Sequence, residues 1–395
     1  MKVLKLSTIL LLTTIFSASA QLSAVKHNFD KSRSGRTEII LPQVNGYNIY
    51  KADLHLHSIY SDGEVTPALR VMEAWQDGLD IIAITDHMEC RRIEREMYRY
   101  MNEYIRPELR GEPKAINTNV LNNDPDSRGI LVDFNIAHEM ASKEAEKWDI
   151  MVIKGVEITR GKLGDYNAIF TTDNNKIYDP NLEQTIRNAR KQGAFIFHNH
   201  PQVTKDPEGL FPPHCEDFYN KGLIDGIELS NGISMWYRLL THCIEAGFTP
   251  IASSDAHGLI SARYPGCGKD YYRNMTLILA KNRDEKSIKE ALKANRAIAY
   301  HANMLIGKEE LLQELFKASV TVESLGSNEK NQRVKITNNS SFPYAIRWEG
   351  KKEAAVFGMG SAVIAVDKDC NKIELEIRNM YYGKNKCPKV VFKLK

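Results

Sequence analysis

The chain predicts an α/β barrel followed by a small all-β domain, and three observations carry that reading. From Tyr47 to about Leu315, short apolar runs alternate with stretches of helical length, the pattern of β-α units around a parallel sheet. After Val320 the helical stretches stop and short alternating strands follow one another. Metal-ligating residue types stand where the early strands end, and barrels place their chemistry at the carboxyl ends of strands. A doubly wound sheet would share the alternation, but no GxGxxG or Walker segment accompanies it, which favours the barrel.

The elements follow in order. Lys2 and Lys5 precede the apolar run Leu6 to Phe16, and Ala18-Ser-Ala20 supplies a small-residue cleavage site before Gln21. Residues 1–20 read as a secretory signal peptide, since the apolar run is too short to span a bilayer. The mature chain is therefore expected to be exported, periplasmic or extracellular, with no transmembrane segment. Residues 21–46 are a lead-in, and 47–318 form the barrel. Ile49 to His57 reads as its first strand, and Pro67 to Gln76 as a helix capped by Thr66. Ile81-Ile-Ala-Ile84, Met151 to Ile158, Asn167 to Phe170, Ala194 to Phe197, Ile227 to Leu229, Pro250 to Ala252 and Met275 to Ala280 continue the strands. Helices are expected at Ala137–Lys147, Leu182–Gln192, Met235–Ala246 and Glu285–Ala294. The long charged segment from Glu89 to Asp133 reads as a lid or insertion, with a surface helix from Cys90 to Tyr104. Residues 319–395 are expected to form a small immunoglobulin-like β-sandwich, with strands at Val320–Val322, Arg333–Thr337, Ala345–Trp348, Ala362–Val366, Ile373–Ile377 and Lys389–Leu394. That domain brings no cluster of acid, base or ligand residues, so a structural or docking role is expected, with carbohydrate binding through Trp348 or Tyr381-Tyr382 as the lesser alternative.

Charge narrows the function. Basic residues number 53 and acidic residues 50, and two of the lysines fall in the signal segment, so the mature chain is nearly neutral. Nothing in that balance suits a nucleic-acid surface, and an exonuclease is disfavoured. Export permits disulfides, and Cys370–Cys387 is the expected pair. Cys90, Cys215, Cys243 and Cys267 are scattered, without CxxC spacing.

Six segments carry ligand chemistry: Asp53-Leu-His55-Leu-His57, Ser61-Asp62-Gly63, Thr85-Asp86-His87, Gly155-Val-Glu157, His198-Asn-His200 and Asp255-Ala-His257. A His-x-His on a strand turns both imidazoles to one face, because side chains alternate with period two. Imidazoles and carboxylates delivered from several strand ends describe a polynuclear hydrolytic metal site. A lone His is more often a hydrogen-bonded core residue than a ligand, and His138, His214, His242 and His301 are read that way. His residues at strand ends, each inside a short ligand motif, are not. Nitrogen and oxygen donors without thiolate fit Zn, Mn or Fe(II). Asp53 and Asp86 are expected to orient neighbouring imidazoles. Glu228 stands at a strand end, where it either supports a ligand or caps the strand. Arg263 and Arg273 follow the last motif and are expected to bind substrate, gripping a phosphate by a bidentate fork; surface solvation is their alternative.

These motifs, in this order and spacing, resemble the PHP family (polymerase and histidinol phosphatase) from about Tyr47 to Leu315, with His200-Pro201 and Ser254-Asp255 extending the match. The resemblance implies a distorted (β/α)7 TIM-like barrel with two or three divalent ions. His55, His57, Glu157 and Asp255 would hold the first. Glu157 would bridge to a second, completed by His200 and a residue of the Gly164-Asp165-Tyr166-Asn167 turn. Asp62, His87 and His257 would hold a third. Many relatives offer a His in that turn where this chain has Asp165, and His198, a same-face neighbour of His200, is an alternative ligand or pocket lining. The implied activity is hydrolysis of a small phosphorylated substrate by a metal-bound hydroxide, with His257, Asp255 and Glu157 at the centre of catalysis. An amidohydrolase-type hydrolase also uses His-x-His on a first strand but has no place for the Ser-Asp-Gly and Thr-Asp-His units. A non-catalytic metal-containing envelope binding protein would be expected to close its coordination shell.

Overall fold

Ile81-Ile-Ala-Ile84 is apolar at four consecutive positions and buried at each. It forms β2, between β1 (Asn48–Asp53) and β3 (Met151–Thr159), parallel to both. A strand covered on both faces has no solvent side for a polar residue, which is why its sequence does not alternate. The structure, a computed structural model, describes residues 35–90, 133–201, 211–264 and 271–394. The expected signal peptide, residues 91–132 of the charged insertion with nearly all of its expected helix, and Cys267 lie outside the described residues.

Beyond β3 come β4 (Asp165–Ile169), β5 (Phe195–Asn199), β6 (Gly226–Asn231), β7 (Ser234–Met235) and β8 (Thr249–Ser253), the last paired with β6 in parallel. On the other side of β1 lie β9 (Met275–Ala280), β10 (Ala297–His301) and β11 (Met304–Ile306). The sheet curls: His57 N donates to Ala256 O, and a bridge between Leu56 and Ala256 ties the chain after β1 to the chain after β8. The curled α/β sheet is mixed rather than all parallel. β4 runs antiparallel to β3 and β5 because the short Arg160–Gly164 turn replaces a crossover helix, and β9 runs antiparallel to β1.

Local chemistry sets the helices. Thr66 Oγ1 accepts from Leu69 N ahead of Pro67–Gln76, Asn181 caps Leu182–Lys191 through Gln184 N, and Asp284 caps Glu285–Lys293 through Ser287 N. The helix expected at Met235–Ala246 is shorter, Leu240–Glu245. Gly232, at φ +55°, reverses the chain so that β7 folds back onto β6 first. Among the described residues no helix is long and apolar enough to cross a membrane.

The C-terminal segment comprises β12 (Val320–Ser327), β13 (Asn331–Asn338), β14 (Tyr344–Trp348), β15 (Lys352–Val356), β16 (Ser361–Asp367), β17 (Lys372–Ile377), β18 (Met380–Tyr381) and β19 (Lys389–Lys393). All but β18 form two small antiparallel sheets, β12-β13-β16 and β15-β14-β17-β19. Alternation buries Val334 and Ile336 on β13, Ile364 and Val366 on β16, and Ile373, Leu375 and Ile377 on β17. The segment is not a loose appendage. β18 leaves its neighbours and pairs with β11 in parallel, and Tyr300 of the large sheet stacks on Phe342 at 4.7 Å within one continuous core.

The expected Cys370–Cys387 disulfide is not formed; both are free thiols. The register explains why. Lys372 pairs with Lys393 and Glu376 with Lys389, so Cys370 and Cys387 lie beyond opposite ends of the β17-β19 ladder. At ~3.3 Å per residue the eight positions between them span roughly 25 Å, far outside disulfide reach.

Candidate metal centre

His55 and His57 lie just past the regular part of β1, keep a common face with Asp53, and are fully buried. Four donor atoms meet there. His55 Nε2 and His57 Nε2 are 3.0 Å apart, each lies 3.1 Å from Glu157 Oε2, and Asp255 Oδ1 lies 3.3 and 3.0 Å from them. Edges of this length belong to a coordination shell about 2.0–2.2 Å in radius. Asp255 Oδ1, Asp62 Oδ1 and Asp165 Oδ1 are buried without a hydrogen-bond partner, and imidazole nitrogens beside the first two face them as fellow donors would face a shared ion. The residues present therefore fit divalent ions.

Two further groups flank the first, and in each the ligand atoms all lie within 4.8 Å of one another. One joins His57, Asp62, His87 and His257, with Asp62 3.2 Å from His257 Nε2 and 3.5 Å from His87 Nε2. The other joins Glu157, Asp165 and His200, with His200 Nε2 3.6 Å from Glu157 Oε1 and His200 Nδ1 3.9 Å from Asp165 Oδ2. Glu157 thus turns Oε2 toward His55, His57 and His87, and Oε1 toward His200.

His198 does not join them. On β5 the site face belongs to Asn199, whose Nδ2 donates to Glu157 Oε1 at 2.7 Å. His198 points the other way, is 1% exposed, stacks on Tyr166 at 4.7 Å and meets Tyr219 Oη through Nδ1 at 2.8 Å. The same-face inference fails because His200 has φ +25°, which breaks the period of two and swings its imidazole back to the site. Asp255 enters by a similar device, at φ +49°. Such backbone in non-glycine residues gathers at functional sites.

Arg273 is not at the opening either. It is 1% exposed and pairs with Asp53, with Asp77 Oδ2 at 3.2 Å and with Ser254 Oγ at 3.0 Å, a buried lock beneath the site. Asp53 accordingly receives Arg273, Ser254 and the His55 backbone rather than an imidazole. Asp86 binds Ser58 N and Oγ at 2.7 Å each and Ser61 Oγ at 2.5 Å, and Ser61 Oγ in turn lies 3.3 Å from His57 Nδ1. Its influence on an imidazole is relayed through a serine. Arg263 stays near the site, its guanidinium 3.5 Å from Asn231 Oδ1.

The supporting residues are more numerous than the motifs suggested. Glu228 is fully buried: Oε1 takes His55 Nδ1 at 3.0 Å and Ser253 Oγ at 2.5 Å, while Oε2 takes His200 N at 2.6 Å and Asn231 Nδ2 at 3.0 Å. A proton held on His55 Nδ1 leaves the Nε2 lone pair for the site. Asn231 Nδ2 also reaches Asp255 Oδ2 at 3.1 Å. Arg70, 1% exposed on the Pro67–Gln76 helix, donates to the carbonyls of His57, Ala256, His257 and Gly258 at 2.7–2.8 Å. It clamps the two ligand-bearing loops together. Nothing in the sequence distinguishes it from a surface arginine, because its partners are backbone atoms distant in the chain.

Burial opposes charge throughout, and the mutual attractions overcome it. Burial pulls the His55 pKa down, but Asp255, Glu157 and Glu228 raise it well above its ordinary value. His57 is raised against the same burial by Asp255 and Glu157, and His200 reaches about 9 through Glu157 and Glu228. Glu157, which burial alone would raise, is held well below the carboxylate range by His55 and His87. Asp165 is raised, by burial and then by Glu157. In the ion-free chain, protons on imidazoles balance these carboxylates, and cations binding there would displace them.

The PHP domain family matches residues 53–226. A crystal structure from Bacteroides vulgatus, described as a two-domain protein containing a predicted PHP-like metal-dependent phosphoesterase, is 29% identical and superposes with a TM-score of 0.76 over 91% of this chain and 99% of its own. A putative metal-dependent phosphoesterase from Bifidobacterium adolescentis, 15% identical over 61% of this chain and 95% of its own, gives 0.36. An amidohydrolase from Chromobacterium violaceum, 15% identical over 53% of this chain and 88% of its own, gives 0.32. No curated protein matches.

Proposed function

We propose that this chain, a PHP-domain protein with an additional C-terminal domain, hydrolyses phosphate esters of small molecules at a centre of two or three divalent ions. The observation that carries the reading is the convergence of His55, His57, Glu157 and Asp255 at coordination-shell spacing, flanked on either side by a further donor group. When bound, such ions activate water and polarise phosphoryl oxygens. The chain's own residues prepare the place. Glu157, with an oxygen turned to each flank, spans two positions, and His57 is shared between the first group and the Asp62 group. Glu228 and Asn231 fix His55 and Asp255. Arg263, beside Asn231, is the guanidinium placed to grip a phosphate; Arg273 is locked beneath.

Zn, Mn and Fe all suit these donors. The ring β1-β2-β3-β4-β5-β6-β8, tied at Leu56 and Ala256, is read as the distorted (β/α)7 barrel, and the two small sheets as an immunoglobulin-like sandwich of residues 319–395. The basic start and the Leu6–Phe16 run support export.

The test compares metal-loaded wild type with His257→Ala on p-nitrophenyl phosphate and its bis-ester, with metal content measured in both. Loss of a ligand should lower the rate on the order of 100-fold together with ion content. Equal rates would place the centre elsewhere.

A further inference from the structure

Asn167 is the buried polar residue that the site leaves unexplained. It is fully buried on β4, directly across from Glu157 in the β3-β4 register and two residues from Asp165, so all three share a face. Neither atom of its carboxamide has a hydrogen-bond partner. The neighbouring Asn199 is engaged elsewhere: its Nδ2 donates to Glu157 Oε1 and its Oδ1 accepts the Asn167 backbone N–H, not a carboxamide hydrogen. A buried amide without partners is costly, and an apolar side chain of similar volume would avoid that cost. Its position beside a donor set explains its presence.

That set is the open one. His200 Nε2 stands 3.6 Å from Glu157 Oε1 and its Nδ1 3.9 Å from Asp165 Oδ2, against 3.0–3.3 Å in the group at His55 and His57 and 3.2–3.6 Å in the Asp62 group, and the set holds three residues where the Asp62 group holds four. The two flanks also differ in chemistry. The Asp62 group offers three imidazoles and one carboxylate; the Asp165 group offers two carboxylates and one imidazole. Carboxylate and carbonyl oxygens suit Mn and Mg, whereas imidazole suits Zn and Fe.

Resting on the metal-centre reading above, we propose that the Asn167 carboxamide oxygen completes the Glu157, Asp165 and His200 set, making it an oxygen-rich position that takes Mn2+ in preference to Zn2+, while the His57, Asp62, His87 and His257 set takes Zn2+ or Fe2+. The centre would then hold two kinds of ion, sorted by donor type.

The test uses the full chain freed of metal by chelation and titrated with Mn2+ and Zn2+, with bound metal counted by elemental analysis and Mn2+ followed by electron paramagnetic resonance. Variants are Asn167→Leu, which keeps the branched outline without a donor, and Asn167→Asp, which keeps the oxygen. The expected result is that Asn167→Leu binds one Mn2+ fewer, or binds the last one at least about tenfold more weakly, with Zn2+ uptake and the ion-free melting temperature not reduced. Asn167→Asp should keep the wild-type Mn2+ count. Unchanged Mn2+ count and affinity in Asn167→Leu would overturn the proposal, as would loss of Mn2+ from Asn167→Asp. Wild type that binds neither metal would instead overturn the metal-centre reading itself.

Discussion

Replacing Glu228 with Gln tests how the site holds its ligands. The carboxylate takes two donors on each oxygen: His55 Nδ1 and Ser253 Oγ on Oε1, the His200 backbone N–H and Asn231 Nδ2 on Oε2. Glutamine must turn an NH2 toward one of these pairs. Facing His200 N it would strand a backbone donor that cannot reverse, a cost of about 1–3 kcal/mol. Facing His55 and Ser253 costs less, because a hydroxyl rotates and an imidazole changes tautomer. That arrangement moves the His55 proton to Nε2, the atom 3.1 Å from Glu157 Oε2 and 3.3 Å from Asp255 Oδ1. A protonated Nε2 cannot ligate. Glu228→Gln should therefore weaken metal binding about 10–100-fold, while the ion-free fold loses only about 1–3 kcal/mol. Competition titration against a chromophoric chelator measures the first, and urea unfolding of the ion-free chain the second. Metal affinity within twofold of wild type would refute the tautomer reasoning.

Arg273→Met should cost about 3–5 kcal/mol by leaving Asp53 and Asp77 buried without their cation; urea unfolding measures it, and Arg263→Ala, not Arg273→Met, should raise KM without matching loss of stability. His198→Phe should keep metal content and rate within twofold, at about 1–2 kcal/mol for the stranded Tyr219 hydroxyl; loss of an ion would return His198 to the ligand set. The ion-free chain should melt at lower temperature as pH rises from about 6.5 to 9. The raised pKa values of His55, His57 and His200 give stability that is full below the unfolded value and lost through the folded one, about 9 for His200. Metal-loaded chain should lack that fall, since ions stand in place of the protons; parallel melts with and without chelator decide it.

How much of the centre was legible in the sequence depends on distance along the chain. His55 and His57 were readable because alternation on one strand is a local rule, and Thr66 or Ile81–Ile84 because caps and apolar runs are local too. Roles that depend on partners remote in sequence were not. Arg70 and Arg273 look alike as residue types, yet one binds four loop carbonyls and the other two buried aspartates. Local rules also failed at the strand ends. The period of two that turns His55 and His57 to one face offers His198 as an alternative ligand beside His200, and it does not hold there because φ at His200 turns positive. The period of two holds only while the backbone stays extended, and ligands recruited where a strand stops are placed by the turn instead. His200 and Asp255 both sit at such points, and each is held there by a contact from β6: His200 N to Glu228, Asp255 Oδ2 to Asn231. The strained turns and the residues that secure them therefore form one unit, in which β6, with no ligand motif of its own, joins Arg70 and the His57–Ala256 bond in holding the ligand motifs together.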